Sequence, residues 1–96
     1  MKVVSKIISR DEALSISPDY VRFIEKMEKW AEVNAAFSKL KKGQPVLTFL
    51  DGKFRICNVS SVRNDDFRAV DGPVVRVTDG EYSWRVDGCH FAVPIS

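Results

Sequence analysis

The sequence predicts an α+β fold in which an N-terminal helical segment packs on a C-terminal antiparallel β-meander. Three observations carry this expectation. Every glycine after Gly43 directly follows an aspartate, in Asp51-Gly52, Asp71-Gly72, Asp79-Gly80 and Asp87-Gly88. The last three pairs recur every eight residues, the length of a short strand plus a two-residue turn. Asp-Gly favours such turns because glycine takes the positive φ they need and aspartate tolerates it. Before Gly43 there is no glycine, and apolar residues fall at helical spacing. A chain of 96 residues fits one domain, with residues 1–43 mainly helical and 44–96 the meander.

Taken in order, residues 2–9 are rich in Val and Ile and fit either a strand that joins the later sheet or a short amphipathic helix; strand is the preferred reading. Ser9-Arg10-Asp11-Glu12 resembles a capped helix start, with Glu12 at the capping-box position, and predicts one turn through Leu14. Ser17-Pro18-Asp19 is a stronger start: a capping hydroxyl, a proline at the first helical position and an acid that complements the helix dipole. From there to Lys41, the residues Tyr20, Phe23, Ile24, Met27, Trp30, Ala31, Phe37 and Leu40 share one stripe that Asn34 interrupts. Gly43 and Pro45 stop the helix. A helix over 18–41 would be about 36 Å long, against strands of about 17–20 Å. It therefore breaks near Asn34, or carries apolar surface beyond the sheet.

Strands are expected over 46–50, 53–62, 67–70, 74–78, 81–86 and 89–95. In the second, Phe54 and Ile56 share a face while Cys57, Val59 and Val62 fall out of register, which a bulge near Asn58–Ser60 explains. In the fifth, Tyr82, Trp84 and Val86 share a face and are expected, with Phe91 and Val93, to form one core with Phe23, Met27 or Trp30 of the helix. Turned outward, Tyr82 and Trp84 would instead make a stacking platform for bases or a groove for a peptide.

The net charge of +2 excludes a strongly basic nucleic-acid binder. Residues 1–43 hold nine Lys/Arg against six Asp/Glu, and residues 44–96 six against seven. No apolar run reaches the length of a membrane span, and the N-terminus lacks the pattern of a signal peptide. Two cysteines, Cys57 and Cys89, without an export signal point to a reduced, cytoplasmic protein.

Lys42-Gly43-Gln44-Pro45-Val46, followed by a strand, an Asp-Gly turn and a long second strand, resembles the opening of SH3-like barrels of the Tudor and KOW kind. The resemblance spans about residues 42–95 and implies a small closed barrel. The Tudor aromatic cage has no counterpart position by position, so no binding residue carries over. A flat meander covered on one face by the helix is the competing architecture.

Chemistry-bearing residues are sparse. His90 is the only histidine, and its neighbour Cys89 points to the opposite face of a strand, so the two make no nucleophile–base pair. Cys57, Cys89 and His90 are too few for a metal site unless carboxylates join. No glycine-rich phosphate loop is present. The expectation is thus a protein with no catalytic residue, metal or cofactor: a small protein-binding module or accessory protein that docks another protein, or a second copy of itself, through Phe23, Met27, Trp30 and Phe37. The alternative is a nucleic-acid-binding accessory protein that uses the helix-end Lys39, Lys41 and Lys42 with the strand residues Arg55, Arg76 and Arg85, arginine being suited to bidentate contact with phosphate. A small enzyme using Cys89 or His90 is the third and weakest reading.

Overall fold

A computed structural model describes residues 6–63, 74–86 and 91–95. The order is β1 (Lys6–Ile8), α1 (Arg10–Ile16), α2 (Pro18–Lys26), α3 (Trp30–Phe37), β2 (Pro45–Leu50), β3 (Lys53–Arg63), β4 (Val74–Thr78), β5 (Ser83–Val86) and β6 (Val93–Pro94). Three helices and a six-stranded antiparallel sheet make the α+β arrangement that the sequence predicts. No helix among the described residues is long and apolar enough to cross a membrane. The strand expected over 67–70, the turns at Asp71-Gly72 and Asp87-Gly88, and the residues Cys89 and His90 lie outside the described residues.

Both helix starts are written in the local sequence. The Ser9 hydroxyl accepts the Glu12 N–H at 3.2 Å, and α1 runs on past Leu14 to Ile16. Ser17 then closes α1 and opens α2, its hydroxyl accepting the Tyr20 N–H at 3.3 Å. Arg10 ties the two helices together, donating from Nε and Nη2 to the two carboxylate oxygens of Glu25 at 2.6 and 2.9 Å. That hydrogen bond, chiefly, holds the Glu25 carboxyl below its ordinary value, against partial desolvation.

The 18–41 helix breaks at 27–29 rather than near Asn34. Met27 and Lys29 both adopt left-handed backbone, φ 56° and 63°. Each such residue costs about 1–2 kcal/mol. The break redirects α3 so that Val33 and Phe37 reach the core, and burying side chains of that size stabilises by about 1.5–3 kcal/mol each. The packing gain outweighs the strain.

The sheet runs β5-β4-β3-β2-β6, with β1 also on β3. Ile56 pairs with both Lys6 and Leu47, and Asn58 with both Pro45 and Thr78. Strands β1 and β4 therefore lie end to end along one edge of β3, with β2 along the other. The register shifts between Val59 and Ser61, where the sequence placed a bulge. At Asp51-Gly52, φ values of 54° and 75° join β2 to β3 in a two-residue link, as expected. The sheet is not closed: no pairing joins β5 to β6 among the described residues, so the barrel implied by the SH3-like resemblance is not formed.

Two cores lie on opposite faces of this sheet. Val46 and Leu47 are neighbours on β2 and point apart. Leu47 packs with Ile8, Tyr20, Phe23, Phe54 and Val93 under the helices, and Val46 with Cys57, Val59, Val75, Val77 and Val86. Phe91 joins the two, its ring centroid 5.6 Å from Phe23 and 4.7 Å from Phe37. The single core expected from the sequence is thus divided, with Val93 and Phe23 on one side and Trp84 and Val86 on the other.

Candidate protein-binding site

Of the four apolar helix residues expected to meet a partner, Phe23 and Phe37 are buried in this chain's own cores. Met27 and Trp30 are not: they stand 59% and 53% exposed at the α2–α3 corner. The left-handed backbone that breaks the helix also presents them. The Met27 N–H donates to the Phe23 carbonyl at 2.9 Å and the Glu28 N–H to the Arg22 carbonyl at 3.4 Å, so the last turn of α2 is satisfied through the corner. Glycine usually supplies such a left-handed close, and its absence here hides the break from sequence reading. Lys26, Glu28, Lys29 and Glu32 are exposed around the two apolar side chains.

A groove of about 180 Å³ lies between the N-terminal end of α2, α3 and β6. Val33, Ala36, Val93 and Pro94 line it with apolar residues, and the exposed Asp19 and Glu32 add two acidic residues to the lining. Ser17 also lines it, with its hydroxyl engaged as the α2 cap. Among the described residues, no ion pair or side-chain hydrogen bond engages Asp19 or Glu32. Trp30 precedes Val33 by three positions and so shares its side of the helix. The groove unites residues from three separated stretches of sequence, and no local pattern signals it.

The cationic residues proposed for nucleic acid divide between faces. Arg76 and Arg85 are direct cross-strand partners on β4 and β5, opposite the face on which Val75, Val77 and Val86 pack. The Arg76 guanidinium leans toward the end of the hairpin, donating to the Ser83 carbonyl and hydroxyl at 3.4 and 3.5 Å. Arg55 lies two residues before Cys57 on β3, shares its face and so points the other way from Arg76 and Arg85. Lys39, Lys41 and Lys42 are exposed before β2, where the Gly43 N–H donates to the Val59 carbonyl.

Tyr82 departs from the expected core position and stands 67% exposed. The cause is the Asp79 carboxylate, which accepts the N–H groups of Glu81 and Tyr82 at 2.9 and 2.8 Å. These bonds widen the Asp79-Gly80 turn into a four-residue link, so β5 begins at Ser83. They also hold the Asp79 carboxyl below its ordinary value, the Tyr82 N–H contributing most. Gly80 adopts φ 97°, as its turn position requires.

Among the described residues, no three His, Cys, Asp or Glu side chains gather as a metal-ligand set. Burial, reinforced by the charge of Asp79 and opposed by Arg55, pushes the Cys57 thiol up to about 11 and makes it a poor nucleophile. Comparison with known protein families, curated proteins and solved structures finds no match.

Proposed function

We propose that this chain is a small, non-catalytic protein-binding module that docks a partner protein at the α2–α3 corner. The observation that carries the reading is the outward placement of Met27 and Trp30, 59% and 53% exposed, on a backbone turn that stores strain. Left-handed non-glycine residues persist where surrounding structure demands them and gather at functional sites. Tryptophan and methionine are also enriched at protein interfaces. The corner has replaced the long helical stripe as the reason to expect association. Its mixed lysine and glutamate surround suits another protein better than a polyanion. The non-catalytic part rests on the sequence, which offers no nucleophile–base pair.

The test is affinity capture from the source cell with wild-type chain and with Met27→Ser/Trp30→Ser, joined to reciprocal capture and to sedimentation of the purified chain across concentration. Support requires a protein, or a second copy of the chain, that wild type retains and the double variant loses. A monomeric wild type that retains the same proteins as the double variant overturns the reading.

Nucleic-acid binding is a second reading, favoured by the Arg76–Arg85 pairing beside an exposed Tyr82, since aromatic rings among cations stack bases. It requires binding that weakens steeply with salt and is lost when Lys39, Lys41 and Lys42 are replaced by Ala together. Salt-insensitive or absent binding rejects it.

A further inference from the structure

We infer that the groove between α2, α3 and β6 receives a single lysine or arginine side chain of the partner polypeptide. The inference rests on the protein-binding reading and names the chemistry of one contact within it. At about 180 Å³ the groove is smaller than the ~300–1,000 Å³ of small-molecule sites, so it holds one side chain and not a cofactor. Its apolar lining residues Val33, Ala36, Val93 and Pro94 match an aliphatic stem, and its acidic Asp19 and Glu32 match a cationic head, the two halves of a snorkelling lysine or arginine. Among the described residues that line it, Glu32 and Asp19 supply the charges, both negative, and no ion pair within the described residues engages either. The Asp19 carboxylate stands in the first turn of α2, whose positive end offsets part of its charge. Glu32 occupies the same kind of position on α3. The two helix ends weaken a cation's attraction without reversing it, because each contributes only about half a charge. Neither Met27 nor Trp30 is among the described residues that line the groove.

Titration of the isotope-labelled full chain with blocked tripeptides, followed by backbone amide shifts, tests this directly. The probes are acetyl-Gly-Arg-Gly-amide and its lysine, norleucine and glutamate counterparts. Saturable shifts at Glu32, Val33 and Ala36 are expected with the arginine and lysine peptides only. Glu32→Gln should weaken them by about two- to five-fold, the factor of one exposed ion pair. Equal shifts with norleucine, or none with either cation up to its solubility limit, overturn the inference. Met27→Ser/Trp30→Ser leaves the tripeptide affinity unchanged if the groove is its own site. Tripeptide binding without a corner-dependent partner would sink the protein-binding reading and keep the groove. A corner-dependent partner without tripeptide binding would do the reverse.

Discussion

Replacing Met27 and Lys29 with glycine has opposite consequences in a continuous helix and in the corner described above. In an exposed helix interior each glycine costs about 1 kcal/mol, and the pair would lose about 2 kcal/mol. In the left-handed conformations observed, φ 56° and 63°, each original side chain costs about 1–2 kcal/mol. Glycine removes that strain and adds about 0.5–1 kcal/mol of unfolded-chain freedom. Each substitution therefore gains about 0.5–1 kcal/mol, and the pair about 1–2 kcal/mol. Both residues are exposed, so little burial is lost. The assay is urea unfolding, with the midpoint rising at unchanged slope, and a thermal midpoint higher by about 4–8 °C per kcal/mol. A double variant less stable than wild type by about 2 kcal/mol would refute the corner and restore the continuous helix.

Phe23→Ala should destabilise by about 3–5 kcal/mol, because the fully buried ring also stacks on Phe91; a loss under about 1 kcal/mol in chemical denaturation would contradict that placement. The Arg10–Glu25 pair should stabilise the fold above the ordinary glutamate range and lose that contribution as pH falls through the lowered Glu25 value. The difference in urea midpoint between wild type and Arg10→Gln should accordingly shrink on acidification, and a constant or growing difference would reject the sign. In a Cys89→Ser background, Cys57 with its thiol pushed up to about 11 should react with iodoacetamide at pH 8 on the order of 100-fold more slowly than in urea. Equal rates would show that the thiol is not buried.

Local chemistry made much of the fold legible. Ser9, Ser17-Pro18 and Asp51-Gly52 each fix a cap or a turn within four residues of chain, and all three behave as the sequence implies. The out-of-register Cys57, Val59 and Val62 signalled a bulge, which is found between Val59 and Ser61, but Cys57 leaves the Phe54–Ile56 face before it because β3 is buried on both faces. The breaks at Met27 and Lys29 were invisible, because neither residue favours left-handed backbone and only packing of Val33 and Phe37 imposes it. Tyr82 was misplaced for a related reason: the Asp79 side chain competes with the ladder for the N–H groups of Glu81 and Tyr82. The candidate groove was illegible because Asp19, Glu32 and Pro94 meet only after the chain has folded.

The boundary at Gly43 divides the sequence but not the folding unit. Helices α2 and α3 cover a face completed by Val93, which its pairing with Leu47 holds in the sheet. Ile8, which precedes every helix, pairs with Phe54. Neither half can therefore be excised as an independent piece. During synthesis, the helical segment emerges first and must keep Tyr20, Val21 and Phe23 out of other associations until the strands follow. Non-local pairing of this kind slows folding, and the apolar face of α2 is the surface exposed while the chain waits.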